Sequence, residues 1–250
     1  MADVPFTDLT KLPYEPADVT YSYGDDRLQF GEYWQAEADA PLVLLIHGGC
    51  WLNAYDLAHA RPLASALAKQ GLAVFSIEYR RIGDPGGGWP GTFEDITAAF
   101  AFALTLKHQD IVTVGHSAGG HLALWLAANS EQPALKGAIG LAAISDLATY
   151  ARGSSGCEKA TAELMGGMPE VVPDRYKQGS PLQMPASKPT LLIHGDMDQI
   201  VSLTQSKHFA KRHSTSHLLE QTGKGHFDLI DPRQVTPKLI KQQVNSWLAQ

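Results

Sequence analysis

Gly115-His116-Ser117-Ala118-Gly119 is the stretch of this sequence that decides the fold. It follows the apolar run 111–114 and precedes the helical pattern 120–126, so it lies where a strand turns into a helix. In so tight a turn, side chains at the outer positions would collide with neighbouring backbone, and both positions are glycine. The turn lifts the hydroxyl of Ser117 clear of the sheet and holds it at a helix N-terminus. We therefore predict that Ser117 is a nucleophile.

Short apolar runs alternate with helical patterns along most of the chain. The runs are apolar throughout, as expected for strands of a parallel sheet that helices cover on both faces. This alternation predicts one α/β domain over residues 1–250, with a mostly parallel central sheet flanked by helices. Two earlier segments, 19–23 and 28–34, predict an antiparallel hairpin at one edge. The other strand candidates are 42–46, 72–75, 111–114, 138–142, 191–193 and 218–220.

Some helix ends and one long connection can also be predicted. Thr92-Phe93-Glu94-Asp95 resembles a capping box and predicts a helix start. Thr236, followed by Pro237, predicts the N-cap of the last helix. Residues 147–187 interrupt the alternation with glycine and proline. They predict an irregular or short-helical excursion that forms part of a lid over the strand ends, before the penultimate core strand.

Composition limits the possible partners of the chain. Its 250 residues are 44% hydrophobic and 18% charged, with a net charge of −6. An acidic surface does not attract nucleic acid or an anionic membrane, so we expect neither as a partner. No apolar run reaches the ~18 residues that span a bilayer, and no signal peptide is readable. We therefore expect a cytoplasmic protein in which Cys50 and Cys157 are free thiols.

A serine hydroxyl needs a base to take its proton, and the base needs an acid to orient it. For a serine on this kind of turn, the chain order should be serine, acid, histidine. The strand 191–193 runs into two candidate acids, Asp196 and Asp198. We favour Asp198, which the turn carries toward the next loop, and interpret Asp196 as a turn-capping carboxylate. His226 follows the last strand, and Gly225 beside it allows close approach, so we predict it as the base.

Attack on a carbonyl places negative charge on its oxygen, so donors preset around that oxygen assist the reaction. One donor should be the backbone N–H of Ala118, directly after the serine. The strand 42–46 runs straight into His47-Gly48-Gly49-Cys50. The glycines allow this backbone to approach the substrate closely. We predict an oxyanion hole made by the N–H groups of Gly49, Cys50 and Ala118.

Four motifs together resemble a known family. They are H-G-G-x-W at 47–51, G-H-S-A-G-G at 115–120, H-G-D-x-D-x-x-V at 194–201 and G-x-x-H-F-D at 223–228. Their combination resembles the α/β-hydrolase superfamily, in the esterase/lipase branch that includes kynurenine formamidases. The resemblance implies the α/β-hydrolase fold and a serine hydrolase. The related hormone-sensitive-lipase branch has a third glycine where this chain has Cys50. Arg80 and Asp95 resemble a structural ion pair of the superfamily, and we expect them to pair.

The substrate is less well determined than the chemistry. We expect a small carboxylic ester, with an arylformamide such as N-formylkynurenine as the alternative, and no cofactor or metal. Aromatic side chains close to the motifs could stack on a ring, so Trp51, Tyr55, Trp89 and Phe227 are the predicted substrate-binding residues. A peptidase is less favoured because no propeller domain precedes the core. A non-catalytic binding module has no reason to keep all four motifs. The oligomeric state cannot be predicted.

Overall fold

A computed structural model describes residues 4–249. Its central element is an eight-stranded sheet with the order β1-β2-β4-β3-β5-β6-β7-β8. β1 and β2 form the antiparallel edge hairpin, β2 pairs antiparallel with β4, and every other pairing is parallel. The strands are β1 (Val19–Ser22), β2 (Phe30–Trp34), β3 (Leu42–Ile46), β4 (Ala73–Ile77), β5 (Ile111–His116), β6 (Leu135–Leu141), β7 (Thr190–Gly195) and β8 (Ser216–Gln221).

The helices are α1 (Phe6–Leu9), α2 (Arg61–Ala68), α3 (Gly91–Thr105), α4 (Ala118–Asn129), α5 (Leu147–Tyr150), α6 (Gly156–Met165), α7 (Pro173–Gly179), α8 (Thr204–Arg212) and α9 (Thr236–Leu248). Short 3₁₀ turns lie at Leu57–Ala60, Pro181–Gln183 and Phe227–Ile230. Across residues 4–249, no helix is both long and apolar enough to cross a membrane.

Successive residues of β3 belong to different apolar layers, which explains why the strand is apolar throughout. Leu42, Leu44 and Ile46 pack in the layer that contains buried residues of α3 and α4. Val43 and Leu45 pack in the opposite layer, with buried residues of α2 and α9. The sheet is thus covered on both faces, and the predicted α/β fold is confirmed.

The predicted hairpin and core strands are all present, with shifted ends, but two helix starts differ from the predictions. α3 begins at Gly91, so Thr92 lies inside the helix and makes no capping box. The Thr92 hydroxyl is already used, because it donates to the carbonyl of Arg80 and accepts the N–H of Gly88. In α9, Thr236 is the first helical residue and Val235 is the N-cap. Helix ends commonly differ by a residue, because the terminal turns are only half-bonded.

The predicted excursion 147–187 contains three short helices, α5, α6 and α7. A capping box starts α6, in which the Ser155 hydroxyl accepts the N–H of Glu158 and the Glu158 carboxylate accepts the N–H of Ser155. The excursion also bonds to the loop that precedes α3. The N–H of Trp89 donates to the carbonyl of Leu164 at 2.7 Å. This short-helical character agrees with the glycine and proline pattern.

The expected ion pair between Arg80 and Asp95 is confirmed. Arg80 Nε lies 2.9 Å from Asp95 Oδ2, and the Arg80 backbone N–H donates to the same oxygen at 2.9 Å. Gln29 donates to the other oxygen at 2.7 Å. The Asp95 side chain is fully buried, so each of these donors offsets its lost hydration.

Replacing this buried carboxylate should destabilise the fold. We expect Asp95→Asn to lower the free energy of unfolding by about 2–3 kcal/mol, because it leaves the guanidinium of Arg80 without its counter-charge. The loss stays below that of a wholly buried pair because Arg80 is one-fifth exposed. Urea unfolding measures it. The matched control is Asp174→Asn, whose exposed pair with Lys177 should contribute less than about 0.5 kcal/mol. Equal losses in the two variants would contradict the prediction.

Candidate active site

The turn around Ser117 connects the end of β5 to the start of α4. Ser117 has φ 55° and ψ −118°, a left-handed conformation that is rare for a residue with a side chain. Its N–H donates to the carbonyl of Leu141 in the neighbouring strand at 2.8 Å, and its carbonyl accepts from His121 at 3.0 Å. Both bonds fix a strained residue at the carboxyl edge of the sheet, as in a nucleophile elbow.

The glycines of the turn are required by close backbone approach. A Cβ at Gly115 would collide with the carbonyl oxygen of Gly119. A Cβ at Gly119 would collide with the carbonyl oxygens of Ile46 and His47, at the end of β3. The N-terminus of α4 therefore lies directly against the loop after β3. This contact places the start of α4 against residues that precede the predicted oxyanion donors Gly49 and Cys50.

The structure brings the predicted acid and base together. His226 Nδ1 lies 2.7 Å from Asp198 Oδ2, which leaves Nε2 of His226 as the nitrogen available to accept a proton. The other oxygen of Asp198 accepts the N–H groups of Ile200 and Val201 at 2.8 and 2.9 Å. His194 Nε2 lies 3.3 Å from Asp198 Oδ2. The carboxylate is thus fixed in place by several donors.

The pKa of Asp198 follows from these contacts. Burial of the side chain would raise the pKa of this carboxyl, but hydrogen bonds from His194 and His226 outweigh burial and hold the pKa well below its ordinary value. Asp198 is therefore ionised throughout the neutral range, as an acid that orients a histidine must be. Asp196 has different surroundings. It is exposed and accepts the N–H of Gly223 at 2.7 Å, as a turn-capping carboxylate would.

Two loops from neighbouring strands must meet for Asp198 to reach His226. The N–H of Met197, after β7, donates to the carbonyl of Lys224, after β8, at 3.0 Å. A Cβ at Gly195 would collide with that same carbonyl oxygen. The glycine at 195 therefore permits the contact that sets the distance between acid and base.

The loop after β3 has an unusual backbone. Gly49 has φ 113°, and Cys50 and Trp51 follow with φ 54° and 57°. Left-handed residues with side chains cost on the order of 1–3 kcal/mol each and persist only where surrounding contacts hold them. Two backbone hydrogen bonds hold the residues on either side of Cys50. The N–H of Ile82 donates to the carbonyl of Trp51 at 2.8 Å, and the N–H of Leu52 donates to that of Gly49 at 2.9 Å.

A buried ionic cluster lies behind this loop. Glu78 Oε1 is 2.9 Å from His47 Nε2 and 3.1 Å from Arg81 Nη1, and Glu78 Oε2 accepts the N–H of Leu57. Burial would raise the pKa of Glu78, but the charge of His47 and its hydrogen bond keep this pKa below the ordinary value. Arg81 also donates to the carbonyl of Tyr55. Glu78 thus links both ends of the loop to β4.

The prediction of free thiols is wrong, because Cys50 and Cys157 form a disulfide. Their Cα atoms are 4.9 Å apart across a separation of 107 residues. The bond joins the predicted oxyanion loop to α6 of the excursion. Two cysteines so far apart in sequence carry no signal that they will meet. Only the tertiary fold, which places α6 beside the loop after β3, reveals the pair.

One small cavity contains the predicted nucleophile and base. It has a volume of about 160 Å³ and mostly apolar walls. Its reactive side is formed by Gly49, Cys50, His116, Ser117 and His226, and the rest of its lining by Phe6, Tyr55, His59, Cys157, Ile200 and Phe227.

Two of the four predicted substrate-binding residues lie in this cavity, and two do not. Tyr55 and Phe227 line it. Trp51 is instead fully buried, and its indole N–H donates to His121. Trp89 packs on Phe93 in a separate groove with Trp125. Left-handed backbone at Trp51 turns its ring into the core, and the bond between Trp89 and the excursion holds Trp89 away from the serine.

Four cavity residues were not predicted from the sequence: Phe6, His59, Cys157 and Ile200. The Phe6 ring lies 5.4 Å from both the Tyr55 and the Phe227 rings, so α1 completes an aromatic wall. No sequence pattern near Phe6 indicates this role. Ile200 could have been found, because it lies two residues after the predicted acid Asp198 and binds that acid through its N–H.

Histidines around the cavity are held neutral by burial. Burial lowers the pKa of His59 to about 3 and that of His121 to about 4. Burial and the nearby charge of His226 also lower the pKa of His116. The ring of His116 lies 4.4 Å from that of His226, and its Nε2 lies 3.0 Å from the carbonyl oxygen of His226. Its place beside the turn agrees with a packing role. Among the described residues, no three His, Cys, Asp or Glu side chains gather in a way that could hold a metal ion.

A mostly parallel sheet of this order, with a strained serine turn after β5, is the α/β-hydrolase fold. Residues 33–213 match the model of the BD-FAE family, and the chain belongs to that family.

Similarity to individual proteins agrees with this class. Esterase LipC of Mycobacterium tuberculosis is 27% identical over 247 residues, which cover 86% of this chain and 61% of LipC. Esterase LipQ of the same organism is 27% identical, covering 68% of this chain and 45% of LipQ. The chain thus spans only part of these curated relatives. The structure of esterase B from Lactobacillus rhamnosis superposes with a TM-score of 0.77 at 18% identity, covering 97% of this chain and 89% of that one. This last likeness concerns the fold alone.

Proposed function

We propose that the protein is a serine hydrolase that cleaves small carboxylic esters through an acyl-enzyme on Ser117. The observation that carries the proposal is the position of three side chains. Ser117 and His226 line the same cavity, and Asp198 binds the nitrogen of His226 that faces away from the reaction. Membership of the BD-FAE family and the esterase names of two relatives support the same class of chemistry.

The proposed reaction has two halves. His226 Nε2 takes the proton of Ser117, whose oxygen attacks the ester carbonyl, while ionised Asp198 stabilises the imidazolium. The N–H groups of Gly49, Cys50 and Ala118 donate to the oxygen that becomes negative. His226 then protonates the leaving alcohol as its bond to the carbonyl carbon breaks. A water, deprotonated by the same nitrogen, attacks the acyl-enzyme and releases the acid. These groups supply all the acid–base chemistry, so we propose no cofactor.

The cavity indicates the size of the substrate. Its volume of about 160 Å³ is below the ~300 Å³ at which pockets for drug-sized ligands begin. The disulfide and Ile200 contribute part of its lining. A long acyl chain would have to displace these groups, and forcing extra methylenes into a packed site costs about 1–3 kcal/mol. We therefore propose short acyl groups.

Hydrolysis of p-nitrophenyl esters tests this function. We expect kcat/KM to fall by roughly tenfold or more from acetate to octanoate, which is the cost of overpacking converted to a rate. Labelling by a fluorophosphonate probe, located by mass spectrometry of the peptide that contains Ser117, is the accompanying measurement. A preference for octanoate would contradict the short acyl group. Absence of both hydrolysis and labelling would contradict the proposed function itself.

A second candidate, arylformamide hydrolysis, is favoured by the aromatic wall. Phe227 lies 5.1 Å from the ring of His226, and Phe6 lies 5.4 Å from Phe227. Because His226 protonates the leaving group, a ring on that group would contact these side chains. Formyl is also the smallest acyl group. A kcat/KM for N-formylkynurenine orders of magnitude above that for p-nitrophenyl acetate would place this candidate first. A smaller kcat/KM for N-formylkynurenine would leave the small ester as the favoured substrate.

A further inference from the structure

The disulfide lies in the wall of the substrate cavity rather than in a remote part of the fold. Cys50 and Cys157 both line the cavity that contains Ser117 and His226. Cys50 is only 9% exposed, and Cys157 is half-buried. A small reagent that enters the cavity therefore comes beside both cysteines. The disulfide thus joins two residues of the wall that faces the space proposed for the substrate.

The bond also holds a position of the oxyanion loop, Cys50, whose backbone makes no hydrogen bond within the described part of the chain. Cys50 has φ 54°, a conformation that surrounding contacts must maintain. The backbone bonds of this loop leave from Gly49 and Trp51, on either side of Cys50. At Cys50 itself, the bond that joins the loop to another element is the disulfide to Cys157 on α6. Breaking it would remove the covalent link between two parts of the cavity wall.

We propose that Cys50–Cys157 is a reversible thiol–disulfide site whose oxidation state sets the rate of acyl transfer, with substrate and reductant competing for the same cavity. The inference rests on the proposed function, since it regulates that same site. Oxidised protein has a fixed oxyanion loop and a closed wall beside α6. Reduced protein keeps Ser117, His226 and Asp198 unchanged but loses the tether of Cys50.

The reductant is a small dithiol. One of its thiolates attacks a sulfur of the protein disulfide, so that bond breaks and a mixed disulfide forms. The second thiol of the reductant then attacks the mixed disulfide and closes the reductant's own ring. Two electrons and two protons pass to the protein, which ends with one thiol on Cys50 and one on Cys157. Oxidation by a disulfide of the same class reverses each step.

The first test is reduction of the folded protein with dithiothreitol. We expect two thiols to appear, and these can only be Cys50 and Cys157 because the sequence has no other cysteine. With p-nitrophenyl acetate, kcat/KM should fall about tenfold, less than the 10²–10³ that removal of a whole oxyanion donor costs. Activity should return on reoxidation. Near-UV circular dichroism checks that the reduced protein stays folded. Thiols present before reduction, or unchanged activity after it, would overturn the inference.

Cys157→Ser is the matched variant, because it removes the bond and leaves the oxyanion loop sequence intact. It should have the activity of reduced wild type and should not respond to dithiothreitol. If the variant does not fold, reduction and reoxidation of the wild-type protein decide the question alone. A variant that folds and has full activity would overturn the inference.

Competition for the cavity is measured by protection. A fluorophosphonate group on Ser117 should slow thiol release at least tenfold, and Ser117→Ala, which cannot carry the group, should show no protection. Equal rates of thiol release with and without the group on Ser117 would show that substrate and reductant do not compete for the cavity, and that part of the inference would be wrong. The two proposals fail differently. If the proposed function is wrong, the oxidised protein neither labels nor hydrolyses esters. If only this inference is wrong, it does both and reduction changes neither.

Discussion

Ser117→Ala is expected to lower kcat for p-nitrophenyl acetate by roughly 10⁴- to 10⁶-fold, the range seen when a triad nucleophile is removed. The reason is geometric. Ser117 is held by a bond from its N–H to Leu141 and by one from the N–H of His121 to its carbonyl. Both involve the backbone alone, so alanine keeps the turn and removes only the hydroxyl. The variant should also lose fluorophosphonate labelling.

Ser202→Ala is the control for this variant. Ser202 is exposed, its hydroxyl bonds to that of Thr204, and it lines a cavity separate from the one that contains Ser117. We expect activity within about twofold of wild type, because a surface substitution of this kind changes little. Labelling of Ser117→Ala at wild-type level would mean that the nucleophile is another residue, and the proposed mechanism would then be wrong.

Asp198→Asn is expected to lower kcat by roughly 10⁴-fold, as an amide in place of the acid stabilises the wrong tautomer of the histidine. The 2.7 Å contact between His226 Nδ1 and Asp198 Oδ2 holds the proton on Nδ1 and leaves Nε2 free. An amide nitrogen at that position would donate to Nδ1 and place the proton on Nε2. The base would then be unable to accept a proton from Ser117.

Asp196→Asn is the matched control, since it makes the same chemical change two residues earlier. Asp196 is exposed and caps the turn at Gly223, so we expect kcat within about threefold of wild type. The pair of variants separates the two acids that the sequence leaves open. A large loss in Asp196→Asn with full activity in Asp198→Asn would assign the acid to Asp196.

The pH dependence of stability offers a second measurement on Asp198. Its pKa in the folded protein is held below the ordinary value, which is about 3.9 in an unfolded chain. The carboxylate therefore stabilises the fold fully above about pH 5 and loses this contribution as the pH falls toward the folded pKa. Urea unfolding between pH 5 and 3 should show a steeper loss for wild type than for Asp198→Asn. Identical slopes would contradict the pKa direction.

Much of the fold was accessible from local pattern. Strands such as β3 are apolar throughout because both faces of the sheet are covered, and that pattern needs no knowledge of the partner elements. Helix starts were less accessible. Thr92 matches a capping pattern, yet its hydroxyl is bonded to Arg80 and Gly88, which lie outside the helix. A competing tertiary bond cannot be seen in a four-residue window.

Part of the candidate site could likewise be predicted from local sequence, and part could not. Gly115 to Gly119 determined the serine turn, since glycines at those positions are required by backbone contacts within the turn and with the end of β3. The strand ends likewise determined where an acid and a base could lie, because the carboxyl ends of parallel strands share one edge. These are local consequences of sequence and chain order.

Only the tertiary structure decided what surrounds the serine. Phe6 and Cys157 reach the cavity from segments far from the motifs, and Trp51, next to the motif, turns into the core instead. The two cysteines gave no sign of pairing, because their distance depends on how residues 147–187 fold back over the sheet. The chemistry of the turn at Ser117 follows from residues that are adjacent in the sequence. The size of the cavity and its disulfide depend on contacts between residues distant in the chain.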